Sequence, residues 1–294
     1  MKRLLHTVLT QDQYRALARF KGKTLPFLRY RLGQSPFLLM GSVVKVLPAS
    51  SKVTVKSGIN VVKKMDYWRR DIFLNIDSDM EYRVRLNSCK KEPDTVEWIE
   101  TSLKNGDVLY DVGANVGAYS LVASKFFDGK VQVFAFEPAF LNFSQLCKNL
   151  VTNQCGRSVV PLQVALSDDT GLEDFNYRVL VPGGAINALG EALDQEGVPF
   201  KPAATLPVVR YSLDDFIRQF GIPAPNHIKI DVDGTEFSIL KGMGETLSNP
   251  SLRTLMLEMN ERGGQTDEIM EFLSQKGLTP ISGTGMNRLF VRKT

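Results

Sequence analysis

Residues 107–120 read Asp-Val-Leu-Tyr-Asp-Val-Gly-Ala-Asn-Val-Gly-Ala-Tyr-Ser. The apolar beginning predicts a short strand, the glycines predict a turn, and residues 118–127 continue as a helix. A strand that enters a helix through such a turn directs free backbone N–H groups and the positive helix end at one point. Glycine is needed where the turn takes a positive φ or where a ligand touches the backbone. The segment therefore predicts a binding site for a small anionic or polar group.

A second strand, residues 131–137, follows and ends in the carboxylate of Glu137. An acidic residue roughly 20 positions after the glycine turn is the usual holder of both ribose hydroxyls of a nucleoside. The unit therefore reads as strand, glycine turn, helix, strand and ribose-binding carboxylate.

The spacing of the turn distinguishes two kinds of nucleoside ligand. Dinucleotide-binding turns favour Gly-x-Gly-x-x-Gly, whose second glycine lets a pyrophosphate approach. This turn reads Asp111-x-Gly113-x-x-x-Gly117, and a carboxylate before the first glycine repels phosphate but attracts an ammonium group. S-adenosylmethionine carries an amino-acid tail and no phosphate, so the turn favours it over a nicotinamide dinucleotide. A glycine turn that binds no ligand is the structural alternative.

Composition is that of an ordinary globular protein. Hydrophobic residues make up 43% and charged residues 23% of the 294 positions. No run of about 18 apolar residues is present, so no membrane-spanning helix is predicted. The three cysteines lack Cys-x-x-Cys spacing, which favours a reducing compartment over a disulfide framework or a zinc site. We expect a cytoplasmic protein.

Charge is divided unevenly along the chain. Residues 1–70 hold 15 Lys and Arg against two acids, a net charge of +13. Since the whole chain has a net charge of +4, the remaining residues carry −9. Such an extension predicts a peripheral contact with the inner face of an anionic membrane, or packing on the acidic body of its own chain or of a subunit partner. It gives weaker support to a nucleic-acid partner, because no recognised nucleic-acid module is present.

We predict two domains: a basic N-terminal extension over residues 1–70, helical and then stranded, and an α/β domain over residues 71–294. A short helix near residues 14–20 and a strand at Val53–Val55 are expected in the first. Residues 71–76 and 81–86 read as further strands, the second with strict alternation. Strands then alternate with helices, which predicts an open, mostly parallel sheet with an antiparallel edge from a C-terminal hairpin.

Residues from about 71 to 292 resemble the FkbM-type methyltransferases. The resemblance rests on six blocks in order, at residues 111–120, 136–138, 165–168, 212–215, 228–236 and 289–291. Position 233 is Asp where the family usually has Glu. The resemblance implies a class I, Rossmann-like fold with a seven-stranded sheet. It also implies an S-adenosylmethionine-dependent O-methyltransferase acting on a hydroxyl of a sugar, glycan or related natural product. Nucleic-acid methyltransferase and nicotinamide-dependent oxidoreductase stay open as alternatives.

Cofactor-binding residues are expected just after the strands, where ligands bind in such sheets. Asp111 and Gly113 would face the methionine tail, and Glu137 the ribose. Ser167 and Asp168 would meet the adenine edge, unless Asp168 only caps a turn. The full expected set is Asp111, Gly113, Asn115, Gly117, Tyr119, Ser120, Glu137, Pro138, Ser167 and Asp168.

Asp231, Asp233 and Glu236 form a carboxylate cluster after the fourth strand and are the candidate catalytic residues. Transfer to a hydroxyl needs a base, and neighbouring carboxylates raise one another's pKa. The alternative is a structural turn at Asp233, with Glu236 favouring the positive end of a helix. A divalent metal on Asp231, Asp233 and Glu258 fits oxygen-ligand chemistry, but no spacing requires it.

Two further residues are candidate substrate contacts. Asn187 lies in an insertion after two glycines, and Glu258 ends the strand that follows the carboxylate cluster. His227 begins its strand, so we expect a structural role for it at the opposite end. The sequence leaves the oligomeric state open.

Overall fold

The computed structural model of the protein describes residues 44–259, 264–282 and 286–293. These residues belong to two compact units, one up to Asn60 and the other from Val61. Compared with the boundary predicted at residue 71, the second unit also takes in residues 61–70, because Met65 and Tyr67 are buried in its core. The helix predicted near residues 14–20 lies outside the described residues. None of the described helices is long and apolar enough to cross a membrane.

The described part of the first unit contains helix α1 (Ala49–Gly58). The strand predicted at Val53–Val55 is wrong, since these residues lie inside this helix. Thr54 donates its hydroxyl hydrogen to the carbonyl oxygen of Ser50, 3.1 Å away and one turn earlier. Alternation over three residues is too short to distinguish a strand from a helix.

The second unit contains the remaining elements. Its strands are β1 (Val62–Lys64), β2 (Phe73–Asn75), β3 (Val108–Val112), β4 (Gln132–Phe136), β5 (Val159–Leu162), β6 (Ala165–Ser167), β7 (Gly171–Tyr177), β8 (Ala188–Leu189), β9 (Ala204–Ser212), β10 (His227–Ile230), β11 (Thr254–Glu258), β12 (Leu278–Ser282) and β13 (Asn287–Arg292). Its helices are α2 (Asp79–Arg83), α3 (Ser88–Lys91), α4 (Pro93–Ser102), α5 (Ala118–Phe126), α6 (Phe140–Thr152), α7 (Leu213–Phe220), α8 (Glu236–Lys241), α9 (Gly244–Ser248) and α10 (Thr266–Gln275).

Seven strands form the central sheet in the order β12-β13-β11-β10-β3-β4-β5. The strands from β11 to β5 are parallel to one another, whereas β13 pairs antiparallel with both β11 and β12. The open, mostly parallel seven-stranded sheet with an antiparallel C-terminal edge is therefore confirmed.

The strand order reverses between β3 and β10. From β3 the chain continues outward through β4 to β5, whereas from β10 it continues in the other direction to β11. The register places Asp111 beside Lys229 and Val112 beside Ile230. Ligands of such sheets bind beyond the carboxyl ends of the strands at this point. The residues that follow β3 and β10 therefore face the same space.

The core lies on both faces of the central sheet, because successive residues of a buried strand point to opposite faces. In β3, Leu109 belongs to one apolar cluster and Tyr110 and Val112 to the other. Helices α4, α5 and α6 complete the first cluster, and α7, α8, α9 and α10 complete the second. The sheet is thus the middle of three layers, and polar groups collect at the ends of its strands.

Four strands form a second sheet in the order β6-β9-β7-β8. The third strand, predicted to run over residues 159–165, ends at Leu162, and β6 pairs with β9 instead. Ser167 therefore does not end a central strand. A Cβ on Gly242 would lie 1.9 Å from the backbone oxygen of Ser167, so β6 packs directly against the end of α8.

A two-stranded ribbon, β1 paired antiparallel with β2, precedes the central sheet. The strand predicted at residues 71–76 is confirmed by β2, whereas the strand predicted at residues 81–86 is wrong. Those residues lie in α2 and a 3-10 turn, because Ser78 and Glu81 form a capping box. The Ser78 hydroxyl accepts from the Glu81 N–H at 3.1 Å, and the Glu81 carboxylate accepts from the Ser78 N–H at 2.9 Å. These reciprocal bonds start a helix whatever the alternation beyond them.

Candidate active site

The turn after β3 depends on its two glycines. Gly113, at φ 81°, donates its N–H to the carbonyl oxygen of Phe136 at 3.0 Å. A Cβ on Gly113 would lie 1.9 Å from the backbone oxygen of Asp231, so no side chain fits between the ends of β3 and β10. A Cβ on Gly117 would lie 2.5 Å from Leu146 Cδ1 on α6. Gly113 thus permits the close approach of two strands, and Gly117 permits helix packing.

Glu137 follows β4 and is held in place by backbone donors. Its Oε2 accepts from the N–H of Asn115 at 2.8 Å, and its Oε1 from the N–H of Ala139 at 2.9 Å. Burial raises the pKa of Glu137 to about 7, although these two N–H bonds oppose the rise. A carboxylate offers about four lone-pair sites, so Glu137 can still accept hydrogen bonds from a pair of ribose hydroxyls.

A cavity adjoins Glu137 and the glycine turn, with about 620 Å³ free of protein atoms when the open solvent at its entrance is included. Its lining includes the polar side chains of Asn115 and Glu137 and the apolar side chains of Val164 and Ile239. The cavity therefore offers contacts both to a flat apolar ring and to a hydroxylated sugar.

Two more cavities open at the same strand ends. The second cavity, about 1060 Å³, lies between residues 188–197 and the ends of β10 and β11. The third, about 930 Å³, lies between residues 80–91 and the glycine turn. Asp233 borders all three cavities, and Asp231 borders the first and the third. These two carboxylates therefore stand where the cavities meet.

Asp231 is paired with a buried lysine. The ammonium nitrogen of Lys229 lies 2.7 Å from Asp231 Oδ2 and 3.9 Å from Asp111 Oδ1. Ser120 donates its hydroxyl hydrogen to Asp111 Oδ2 at 2.6 Å. Burial disfavours the charged form of Asp231, but the charge of Lys229 and the hydrogen bonds with Glu258 and Lys229 together outweigh burial and hold the pKa of Asp231 well below its usual range. Asp231 is therefore ionised near neutral pH.

The neighbouring glutamates behave in the opposite way. Burial and then the negative charge of Asp231, to which it is hydrogen-bonded, together raise the pKa of Glu258 to about 9. Burial raises the pKa of Glu236 to about 7. The mutual effect expected within the carboxylate cluster is therefore seen for Asp233 and Glu236, whose pKa values are raised in part by Asp231. For Asp231 itself, Lys229 and the hydrogen bond with Glu258 reverse the effect. Glu258 carries the proton of the Asp231–Glu258 pair.

Asp233 binds the insertion over residues 182–197, which covers the site. Its carboxylate accepts hydrogen bonds from the backbone N–H groups of Ile186 and Asn187, the second at 3.2 Å. The side-chain amide of Gln195 donates to Asp233 Oδ1 at 2.9 Å. Ile186 has φ 61°, which is rare for a β-branched residue. Three bonds to one carboxylate thus hold a strained loop over the strand ends.

The expected site residues fall into three groups. Those lining at least one of the three cavities are Gly113, Asn115, Tyr119, Glu137, Pro138, Asn187, Asp231, Asp233, Glu236 and Glu258. Asp111 and Ser120 are fully buried, and Gly117 packs against α6, so these three support the turn from inside. Ser167 and Asp168 line none of the three cavities, and Asp168 lies 3.4 Å from Lys241 instead. Asp111 is buried beside Lys229 as a charge partner, so it does not reach the cavity where the methionine tail was expected.

Comparison with known proteins places this arrangement in a family. The sequence profile of the methyltransferase FkbM domain matches residues 111–278, which is more than half of the chain. The chain belongs to the FkbM methyltransferase family. The resemblance found in the sequence is confirmed, and the protein is an S-adenosylmethionine-dependent methyltransferase.

Two relatives and one solved structure are similar to this chain. The 31-O-demethyl-FK506 methyltransferase FkbM of Streptomyces tacrolimicus is 31% identical over 222 residues, covering 65% of this chain and 83% of that protein. The hexuronic acid methyltransferase AglP of Haloferax volcanii is 27% identical over 195 residues, covering 66% of this chain and 73% of that protein. The crystal structure of a methyltransferase FkbM from Methylobacillus flagellatus has a TM-score of 0.46 and 17% identity, covering 65% of this chain and 45% of that one.

The residues of this FkbM-family site fit S-adenosylmethionine. Glu137, Val164 and Ile239 line the same cavity, so its lining would suit both a ribose and an adenine ring. Asn115 borders the same cavity, and its side-chain oxygen is buried without a hydrogen-bond partner among the described residues. An unpaired buried acceptor suits the ammonium group of an amino-acid tail. Asn115 thus fits the role that the sequence had suggested for Asp111.

Three residues of the FkbM-family site were missed by the sequence analysis. Lys229 lies under Asp231; Asn142 donates to the carbonyl oxygen of Gly184 at 3.1 Å; and Arg85 donates to that of Gly183 at 2.8 and 3.0 Å. A lysine inside an apolar strand was a usable signal for the first, since lysines are almost never buried without a partner. The other two bind loop carbonyls contributed by distant chain segments, which no sequence spacing reveals.

The candidate metal ligands of the FkbM-family site are engaged with protein groups. Asp231 is bound to Lys229, and Asp233 is bound to the insertion. Over the ranges that the structure describes, no three His, Cys, Asp or Glu side chains are grouped to hold a metal ion.

Proposed function

We propose that this methyltransferase acts on a hydroxyl of a sugar, a glycan or a related natural product. The observation that carries the proposal is the Asp231 carboxylate, which borders the first and third cavities with 26% of its side chain exposed. A hydroxyl becomes strongly acidic as its oxygen is methylated, so a carboxylate beside that oxygen is a competent proton acceptor. A pre-ionised carboxylate needs no earlier proton loss.

The chain's own groups divide the remaining tasks. S-adenosylmethionine supplies an activated methyl group when it is bound. Glu137 would hold the ribose, and Asn115 the ammonium group of the tail. Glu258 keeps its proton near neutral pH, so it supports Asp231 through their hydrogen bond and does not compete for the acceptor's proton.

The insertion would close the site over the reactants. Asn115 and Asn142 both donate to the carbonyl oxygen of Gly184, at 2.9 and 3.1 Å. Asp233 holds the following residues, Ile186 and Asn187. A segment fixed at both points excludes water from the strand ends and aligns the acceptor oxygen with the methyl group.

Two features support a hydroxylated acceptor. The third cavity, which Asp231 borders, is also bordered by Gln195, Asp233 and Glu258, and such side chains accept hydrogen bonds from sugar hydroxyls. The two relatives are named for hexuronic acid and for 31-O-demethyl-FK506, a sugar acid and a natural product. Both features favour a small hydroxylated acceptor over a nucleic acid.

The test is a screen with methyl-labelled S-adenosylmethionine against nucleotide sugars, lipid-linked glycans and transfer RNA. We expect label in a hydroxyl of one of the first two classes. Asp231→Asn should lower the turnover of that acceptor by about 10²–10⁴-fold while cofactor affinity changes little. Asp168→Asn, a carboxylate outside the three cavities, is the matched control and should leave turnover unchanged. Label only in transfer RNA, or normal turnover by Asp231→Asn, would contradict the proposal.

We also propose that the protein is cytoplasmic and attaches peripherally to an anionic membrane through its basic residues 1–70. Support comes from their net charge of +13, because each Lys or Arg near an anionic bilayer contributes on the order of 1 kcal/mol. Residues 1–43 of this segment lie outside the described residues. A membrane-bound glycan would be a suitable acceptor for an enzyme held in this way.

A further inference from the structure

Lys229 is a charged residue in the middle of the most buried part of the sheet. It is 2% exposed, and its neighbours in β10, Ile228 and Ile230, are fully buried. Strand alternation puts Lys229 and Asp231 on the same face, opposite the two isoleucines. The ammonium group also lies 5.1 Å from the ring centre of Tyr119. Such a group is costly to bury, so its surroundings must compensate its charge.

That compensation comes from two carboxylates, Asp111 on the neighbouring strand β3 and Asp231 directly after β10. Lys229 Nζ lies 2.7 Å from Asp231 Oδ2 and 3.9 Å from Asp111 Oδ1. Both partners are held by other groups, Asp111 by Ser120 and Asp231 by Glu258. Asp111 and Lys229 are both nearly inaccessible, whereas Asp231 reaches the cavities. Of these three groups only Asp231 can contact a substrate, and the buried Lys229 and Asp111 act on it from inside the sheet.

We propose that Lys229 is a positioning residue for methyl transfer: it fixes the Asp231 carboxylate through Oδ2 and keeps it negatively charged at the cavity. The inference rests on the proposed role of Asp231 as proton acceptor. Lys229 touches neither cofactor nor acceptor, since it lines none of the three cavities. Its effect on the reaction is exerted entirely through Asp231.

The other charged groups around Asp231 do not replace Lys229. Lys91 also favours the negative form of Asp231, but it is half exposed and lies 2.9 Å from Glu92. The nearby acids Asp111, Asp233, Glu236 and Glu258 oppose a further negative charge at Asp231 wherever they are ionised. Without Lys229, the hydrogen bond with the protonated Glu258 would be the main contact still opposing burial and these acids, so the pKa of Asp231 would rise.

The balance also explains the protonated glutamate. Burial and the charge of Asp231 raise the pKa of Glu258, whereas Lys229 lowers it. With Lys229 neutralised, the Asp231–Glu258 pair would bind its second proton at a higher pH. In that fully protonated form the pair cannot accept a proton from the hydroxyl.

The direct test is the titration of Asp231 in protein labelled with ¹³C at the Asp and Glu carboxyl carbons. Asp231→Asn assigns the signal, and Lys229→Met removes the charge while keeping the length of the side chain. In the wild type we expect the Asp231 signal to stay that of an ionised carboxylate from about pH 4 to pH 8. In Lys229→Met its midpoint should rise by about 1–3 pH units or more. An unchanged Asp231 titration in Lys229→Met would overturn the proposal, even if that variant were less stable.

A second variant guards against loss of folding. Lys229→Met with Asp111→Asn removes one positive and one negative buried charge, so the net charge of the interior is kept. We expect it to fold, to bind S-adenosylhomocysteine within about threefold of the wild type, and still to show the raised Asp231 midpoint. A wild-type midpoint in the folded double variant would assign Lys229 a structural role only. These measurements use no acceptor, so they are separate from the acceptor screen that tests the proposed function.

Discussion

Replacement of Glu137 by Gln tests the cofactor site most sharply. In the wild type, Oε2 and Oε1 accept from the backbone N–H groups of Asn115 and Ala139 at 2.8 and 2.9 Å. A glutamine keeps one acceptor oxygen and turns the other into a donor, so one backbone N–H loses its partner. Ribose hydroxyls also lose at least one hydrogen bond to a charged group, about 1.5–3 kcal/mol. We therefore expect S-adenosylmethionine affinity to fall about 10- to 150-fold.

The pH dependence gives a second, independent signature of Glu137. Burial raises the pKa of Glu137 to about 7, so the carboxylate that accepts from the ribose is fully ionised only above that pH. Wild-type affinity should rise from about pH 6 to pH 8, and Glu137→Gln should show a flatter dependence.

Calorimetry with S-adenosylhomocysteine measures both effects. The matched control is Asp168→Asn, because Asp168 was also expected to bind the cofactor but lies beside Lys241 at 3.4 Å, outside the three cavities. It should change affinity less than about twofold. Unchanged affinity in Glu137→Gln, or a larger loss in Asp168→Asn, would refute the reasoning.

Three further predictions concern the turn, the sheet interior and the basic extension. Gly113→Ala should abolish cofactor binding in calorimetry, because its Cβ would lie 1.9 Å from the backbone oxygen of Asp231. The control is Gly106→Ala, which is also at positive φ but has nothing within 4 Å of its Cβ; it should lose only about 1–2 kcal/mol of stability and still bind the cofactor. Burial lowers the pKa of His227 from 6.5 to about 4, so the stability that the neutral ring contributes is present above about pH 6.5 and is lost as the pH falls towards 4. Thermal unfolding should show this loss, on the order of 3 kcal/mol, in the wild type but not in His227→Gln. Full-length protein should sediment with anionic liposomes at low salt and be released at high salt, and removal of residues 1–60 should abolish sedimentation; protein that stays in the supernatant at low salt would end the membrane proposal.

The sequence was sufficient for the parts of the fold that local patterns determine. The glycine turn and Glu137 were recognised because strand, turn and helix are continuous in the chain. His227 was correctly assigned a structural role, since its ring nitrogens contact Thr254 at 2.6 Å and Asp107 at 3.1 Å at the end of the sheet opposite the site.

One error came from an overlooked local signal, and another came from the pairing of strands that are distant in the chain. Residues 81–86 alternate like a strand, but the Ser78–Glu81 capping box makes them begin as a helix. Ser167 follows an apolar run, but β6 pairs with β9, which lies 37 or more residues later in the chain than β6. No sequence pattern indicates that the chain leaves the central sheet after β5 and enters the second sheet at β6.

Contacts between strands that are distant in the chain also explain why the charges of the site were predicted only in part. The acids after β10 were recognised as a cluster, and mutual repulsion among them follows from their proximity. Asp111 was assigned to a ligand because its contact with Lys229 crosses from β3 to β10, a register that only the folded sheet defines. Pairing with Lys229 helps to lower the pKa of Asp231, which the other acids alone would raise. The same pairing keeps Asp111 buried, outside the cavities.

The three cavities also show how such an enzyme can separate chemistry from choice of acceptor. The groups assigned to the cofactor and to proton transfer, Glu137 and Asp231, follow directly on rigid central strands. The outer walls are different, since the third cavity is bordered by Met80 and Arg85, which precede the region matched by the family profile. The second cavity is bordered by residues 188–197 of the insertion. Loops and short helices over a rigid sheet can change shape and charge without moving the strand ends. The acceptor is therefore expected to be selected by residues 80–91 and 182–197, while the strand ends keep one geometry for methyl transfer.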